Sequence, residues 1–349
     1  MNHKKLLHAL LRQDFASFVA KTFLHLNPGT DYQHNWHIDL IADYLSSVQK
    51  GDIKRLIINI PPRSLKSISV SVAWPAFLLG NDPAKRIIVS CFAQNLSIKH
   101  SLDCRFIMNS SWYKEIFPRT ILSESQNQKA KYLTTENGFR MATSVGAMVT
   151  GEGGDVLIID DPHNPSHLHS QTRLRAATNW YEQSFSTRLN NKHNGAIVLV
   201  MQRLHMNDLC GHLLASDNSW ELLKIPAVVD EVSPHQSKGI FHPGMFTHEI
   251  LGTIRNEMGS SNFAAQYMQE PVELDAGMLK RDEFHFYDPK TSIIYEYKVQ
   301  SWDTAIKANE SNDYSVCTTW GISNGKCYLI HMNRKKLVYP ALKNEVMKL

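Results

Sequence analysis

Apolar residues along this chain follow two rhythms. Leu6, Leu7, Leu10, Leu11, Phe15, Phe18 and Val19 recur at helical spacing, which predicts an amphipathic helix over 5–26, broken by Asn27-Pro28-Gly29. A second helix is predicted from Ile38 to Val48, ending near Gly51. Short, nearly uninterrupted apolar runs then recur at Leu56–Ile60, Arg86–Ser90, Phe139–Thr143, Val156–Ile159 and Ala196–Met201. Helical stretches fall between most of them, around 66–79, 94–109 and 166–189. Apolar strands that alternate with helices predict an α/β fold: a mostly parallel sheet covered on both faces. Ligands of such sheets bind at the carboxyl ends of the strands.

The rhythm changes beyond residue 230. Prolines at 234, 243, 271 and 289, with Pro226 just before, interrupt the stretch 231–298, which reads as a docked linker region. A new pattern opens at Val299–Asp303, continues after a polar loop with Tyr314–Ile322, and ends with Cys327–His331. The last two read as a hairpin turning at Ser323-Asn324-Gly325. The chain is therefore divided into a first domain over 1–230, a linker over 231–298 and a start of a further domain over 299–349. The last piece is about a third of a typical ~150-residue unit.

Composition sharpens this only in places. A hydrophobic content of 43% supports a full core and excludes wholesale disorder. The net charge of +4, from 37 basic and 33 acidic residues, permits a polyanionic partner without demanding one. The five cysteines are scattered and lack any C-x-x-C spacing, so neither a disulfide scaffold nor a zinc site is supported. No segment reaches the ~18 apolar residues of a membrane span, and the amino-terminal pattern is not a signal-peptide core. The protein is expected to stay in the cytoplasm where it is made.

The chemistry concentrates after two of the strands. The turn following Leu56–Ile60 carries Arg63, Ser64, Lys66 and Ser67. Against the phosphate-loop pattern G-x-x-x-x-G-K-[ST], Lys66-Ser67 is kept, while Ile60 and Leu65 stand at the glycine positions. Such a lysine reaches terminal phosphates and such a hydroxyl binds magnesium. The bland alternative is a basic strand-to-helix turn with solvated charges. Val156–Ile159 ends in Asp160-Asp161, adjacent carboxylates that repel unless a cation lies near them. Asp160 is the candidate magnesium holder and Asp161 the group that orients and deprotonates an attacking water; the alternative is a turn pair with Pro162. The two motifs together favour nucleotide hydrolysis. Gln202, just past Met201, either senses the γ-phosphate or simply ends a strand. Arg188, with Arg140 as its competitor, either acts as an arginine finger on a neighbouring subunit or makes a surface salt bridge. Asp303 is a candidate metal ligand of a two-metal nuclease site, with Asp313 its nearby partner, or part of an inactive one.

The motifs, taken in order, resemble the large subunit of the tailed-bacteriophage terminase, the DNA-packaging motor. The likeness includes Asn35-Trp36-His37, the Pro-Pro-Arg-x-x-Lys-Ser loop ending at Ser67, and Thr150 through Pro162 with its Asp pair. It continues through Arg188-Leu189-Asn190, Gln202 to Leu209, Ser301-Trp302-Asp303 and Asn312-Asp313-Tyr314. The resemblance implies an ASCE-type P-loop ATPase followed by the start of a ribonuclease H-like nuclease domain. Lys66 and Ser67 would be Walker A residues, and Asp160 and Asp161 the Walker B acid and catalytic carboxylate. Gln202 would lie in the coupling motif, and Asp303 would be a nuclease metal ligand. Gln33, Trp36 and His37 would lie near the adenine. ATP and Mg2+ are implied, with Mg2+ or Mn2+ for a completed nuclease. The implied partners are double-stranded DNA, the small terminase subunit and portal protein, in a homo-oligomeric ring in the host bacterial cytoplasm. Departures from the pattern are Leu65 before the lysine and Gln-Arg-Leu in the coupling motif. The family's remaining nuclease carboxylates lie further along than residue 349, so a truncated chain with an incomplete nuclease site is expected. The competing readings are another P-loop DNA translocase or helicase, or a silent fragment that only binds DNA or packaging partners.

Overall fold

The computed structural model describes residues 3–147, 149, 151–167, 170–229, 239–272, 285–288, 293–304, 315–335, 337 and 339–348. The chain forms two compact units, Met1–Leu274 and Asp275–Leu349.

The first unit is built on one eight-stranded sheet. Its strands are β1 (Arg55–Asn59), β2 (Arg86–Cys91), β3 (Leu122–Asn127), β4 (Lys131–Thr134), β5 (Phe139–Ser144), β6 (Val156–Asp160), β7 (Ala196–Met201) and β8 (Glu221–Lys224). They lie in the order β3-β4-β5-β2-β6-β7-β1-β8. The six from β5 to β8 are parallel, and β3 and β4 add an antiparallel edge. The α/β fold with a mostly parallel sheet, expected from the apolar runs, is thus present, and the five expected strands are all in it. β3, β4 and β8 carry too many polar positions to announce themselves as buried strands.

Helices cover the sheet. They are α1 (His3–Gln13), α2 (Phe15–Leu26), α3 (Trp36–Lys50), α4 (Trp74–Asn81), α5 (Gln94–Asn109), α6 (Ser111–Ile116), α7 (Gln171–Trp180) and α8 (Leu209–Ser216). The single helix expected over 5–26 is two. The Asp14 carboxylate accepts from Ser17 N, capping a new helix start in mid-pattern. The stretch expected as helix over 166–189 holds α7, a π-helical turn at Tyr181–Phe185 and a 3-10 turn at Ser186–Arg188. Two apolar layers form, one on each sheet face. Leu56, Ile58, Val198 and Val200 face α2–α5, while Ile57, Ile159, Ile197 and Leu199 face Trp180, Phe185 and Leu213.

After β8 the first unit continues through β9 (Val228–Val229), β10 (Gly239–Ile240), α9 (His248–Met258) and α10 (Ser260–Gln266). Phe241, Phe246, Leu251 and Phe263 join the first apolar layer. The second unit holds an antiparallel meander of β11 (Tyr297–Asp303), β12 (Ser315–Ser323) and β13 (Lys326–Lys335), then α11 (Tyr339–Lys348). The β12–β13 hairpin turns through Asn324 and Gly325, with φ of 51° and 70°. Positive φ at both centres matches the right-handed twist of the strands.

Candidate nucleotide site

The strand order explains the site. β7 lies between β1 and β6, so the chain leaving β1 and the acids ending β6 are two strand spacings apart, roughly 10 Å. The loop after β1 crosses over the end of β7, and Gln202, the first residue past β7, fills the space between. Lys66 Nζ lies 3.0 Å from Asp161 Oδ2 and 3.2 Å from Gln202 Oε1. Gln202 N donates to Asp161 Oδ1 at 3.2 Å. An amine borne after the first strand and an acid borne almost a hundred residues later therefore meet at the carboxyl edge of the sheet, where α/β ligands bind.

The loop takes its shape without the expected glycines. Leu65 has φ +61° and Arg63 has φ +64°, the left-handed region that glycine enters freely and other residues enter at a cost. Left-handed residues running into a right-handed helical turn are the arrangement that points successive N–H groups into one anion-binding hollow. Four hydrogen bonds hold the turn and the imidazole beside it. Ser64 Oγ donates to Pro61 O at 2.7 Å, and His37 Nε2 donates to Ser64 O at 3.2 Å. Asn35 Nδ2 donates both to His37 Nδ1 and to Phe241 O, which fixes the imidazole tautomer and ties the loop to the segment before α9. Burial drives the His37 pKa down to about 4, so the ring is neutral at pH 7 and suited to this role.

Helical structure begins at Lys66 and opens at once into a π-helical stretch, Ile68–Ala73, before α4. Ser67 and Ser71 lie four residues apart and both reach Asp160. Ser67 Oγ donates to Oδ1 at 3.2 Å and Ser71 Oγ to Oδ2 at 2.7 Å. Asp160 is 1% exposed, whereas the Asp161 side chain is open by 26%. Desolvation raises both carboxyl pKa values, and Lys66 pulls both back. Asp161 has φ +44°, a strained backbone for aspartate of the kind that collects at functional positions. Its N–H still bonds Val200 O and its carbonyl accepts from Phe92 N, so the strain is held from both sides.

Other residues singled out in the sequence are placed as follows. Gln33 lines a cavity of about 300 Å³ with Tyr32, His37, Arg63, Leu65 and His242, directly beside the loop. Arg188 is not brought to Lys66 and the acids. Its carbonyl accepts from Gly154 N, six residues before Asp160 and therefore roughly 20 Å away along the strand direction. Its Nη1 donates to Val149 O at 3.1 Å. Arg140 is fully buried on β5 and donates to Ser71 O at 3.2 Å, which removes it as a finger reaching a neighbouring subunit. Asp303 is an exposed residue ending β11 and joins no metal-ligand cluster among the described residues. Asp313 and Thr150 lie outside the described residues.

No family model matches this sequence, and no curated protein matches it. Solved structures do. The HK97 bacteriophage large terminase is 12% identical over 94% of this chain and 67% of its own, with a TM-score of 0.48. The large terminase of a thermophilic bacteriophage, solved in complex with ATP-gamma-S, is 11% identical over 96% of this chain and 72% of its own, with a TM-score of 0.40. The ATPase domain of the Thermus phage P74-26 large terminase is 13% identical over 72% of this chain and 97% of its own, with a TM-score of 0.45. At that depth of likeness, chemistry has to be read from the side chains themselves.

Two contributors had no role assigned from the sequence. Ser71 was legible in principle, four residues after Ser67 on a helix and hence on the same side. Asp208 stands in the Gln202–Leu209 stretch that carries the resemblance, but its partners were not legible there. It is fully buried, caps α8 through Gly211 N at 2.9 Å, accepts from Leu204 N at 3.0 Å, and pairs with Arg203 Nε at 3.0 Å. That ion pair fixes the exit of β7 immediately after Gln202, and it exists only once the chain has turned back on itself.

Proposed function

We propose that the first unit hydrolyses ATP and that hydrolysis drives duplex DNA movement in a phage packaging motor. The observation that carries the hydrolysis is the three-way contact of Lys66, Asp161 and Gln202 at the sheet's carboxyl edge. In this arrangement Lys66 neutralises Asp161. An incoming triphosphate offers the ammonium several anionic oxygens, and its transfer from Asp161 to phosphate frees the carboxylate to hold a water and take its proton. The same transfer breaks the bond from Lys66 to Gln202, so the chain after β7 is released when phosphate binds and recaptured when it leaves. That is a coupling device between the phosphate and the Arg203–Asp208 turn.

Ser67 Oγ and Asp160 Oδ1 are neighbouring hard oxygen donors, which is the donor chemistry magnesium prefers. Those two residues would hold Mg2+, which when bound neutralises phosphate charge. The cavity beside Gln33 and His37 is of a size and position to take the base. Arg188 acts, on this reading, only in trans, on the phosphates of a neighbouring copy in a homo-oligomeric ring. The terminase likeness of the motifs supplies the remaining partners: double-stranded DNA gripped through its phosphates, the small terminase subunit and portal protein. Asp303 joins no second carboxylate among the described residues, and on this reading the nuclease site is incomplete.

Steady-state ATP turnover of the wild type, Lys66→Ala and Asp161→Asn, with and without duplex DNA, tests the reading. Turnover should be stimulated by DNA in the wild type and fall in both variants. Unchanged turnover in Lys66→Ala would remove the site assignment.

A further inference from the structure

At Asp160 three potential metal ligands converge from three elements. Cys91 ends β2, His100 lies on α5 and Asp160 ends β6. All three are buried, and their ligand atoms lie within 4.8 Å of one another. Cys91 Sγ is 3.6 Å from His100 Nδ1, and His100 Nδ1 is 3.6 Å from Asp160 Oδ2. The second separation is too long for a hydrogen bond. It is close to what a shared metal would impose. Zinc bonds of about 2.3 Å to sulfur and about 2.0–2.2 Å to nitrogen and oxygen, at tetrahedral angles, put S and N about 3.6 Å apart and N and O about 3.4 Å apart.

We propose that Cys91, His100 and Asp160 form a site for a thiophilic divalent cation of the zinc class, with water as the fourth ligand. The donor set selects the metal. Thiolate with imidazole suits zinc, whereas magnesium, calcium and manganese prefer oxygen. Charge selects in the same direction. Lys66 is already neutralised by Asp161, and the guanidinium of Arg140, beyond Ser71, balances Asp160, so a dication adds uncompensated positive charge. Zinc offsets this by displacing the Cys91 proton to solvent, so the site gains one positive charge rather than two, and a metal–thiolate bond forms. A hard cation gains no such bond. Because Asp160 is shared, zinc bound here draws Asp160 Oδ2 towards Cys91 and His100 and takes the carboxylate from its magnesium role. This second consequence, inhibition of ATP turnover by zinc, rests on the function proposed above; the binding site does not.

The test uses the full chain in a Cys327→Ser background, because Cys327 is the exposed thiol. Under anaerobic conditions the protein is titrated with Co2+ as a spectroscopic probe and then with Zn2+. One equivalent should produce a thiolate-to-cobalt charge-transfer band that Zn2+ abolishes. The band should persist in Lys66→Ala and vanish in both Cys91→Ala and His100→Gln, with circular dichroism confirming that each variant is folded. At fixed Mg2+, zinc should inhibit turnover, and Cys91→Ala should raise the half-inhibitory zinc concentration by at least about ten-fold. No band, or a band surviving in Cys91→Ala, overturns the site. A proper band without zinc inhibition in an active enzyme overturns the competition for Asp160. Unchanged turnover in Lys66→Ala removes the ATP reading while leaving the cobalt result standing.

Discussion

Asp161, the proposed base, is held at a cost to its own backbone. Its φ of +44° is adopted with no glycine to ease it, and its carboxylate is held by Lys66 and by Gln202 N. Asp161→Asn keeps the shape and removes the base, so turnover should fall about 10²–10⁴-fold with ATP affinity little changed. Single-turnover kinetics and equilibrium ATP binding check this. His37 gives a prediction in pH. Its folded pKa, about 4 against an ordinary 6.5, is depressed by burial. The unfolded chain therefore binds a proton between those values that the folded chain does not. Stability should be fully present above pH 6.5 and decline as pH falls towards 4. In His37→Gln, which keeps a donor for Ser64 O, that part of the slope should disappear. Denaturant unfolding at pH 7 and pH 5 measures it.

Elements decide how the loop and the strand exits are held. Leu65 occupies a left-handed position at a cost of about 1–2 kcal/mol, and also packs partly against the core. Leu65→Gly removes strain and packing together, so its melting temperature should move little and turnover should survive. Leu65→Val puts a β-branched residue at positive φ and should lower both. Asp208 joins three features of one element: it caps α8, receives two backbone N–H groups of the loop and neutralises Arg203. Asp208→Ala leaves a largely buried guanidinium unpaired and should cost about 3–5 kcal/mol in unfolding free energy. If Gln202 reports through this turn, ATP turnover in Asp208→Ala should also lose its stimulation by DNA, even below the melting transition.

At the scale of the whole molecule, the sheet has two ends with different duties. The carboxyl end gathers Lys66, Asp160, Asp161 and Gln202, whereas Arg188 sits by the amino ends of β6 and β7. A finger role for Arg188 thus requires a second copy. The specific activity of the wild type should rise with protein concentration, and Arg188→Ala should abolish that rise while leaving ATP binding intact. Sedimentation and turnover measured over the same concentration range check both halves. Among the described residues no helix is long and apolar enough to cross a membrane.

The apolar rhythm of the chain determined the parallel sheet, because a strand buried on both faces is apolar at most positions. The pairing of a lysine turn with two acids after another strand marked the site, because ligands of such sheets collect at one edge. The polar strands β3, β4 and β8 left no such mark, since β3 and β8 are the edges of the sheet and β4, beside one of them, buries only alternate residues. Strand order was decided by tertiary structure alone. It placed β7 between β1 and β6, and with it Gln202 between the amine and the acid. It also buried Arg140, carried Arg188 to the far end, and brought Cys91 and His100 to Asp160, because contacts between distant segments follow from packing and leave no period in the sequence.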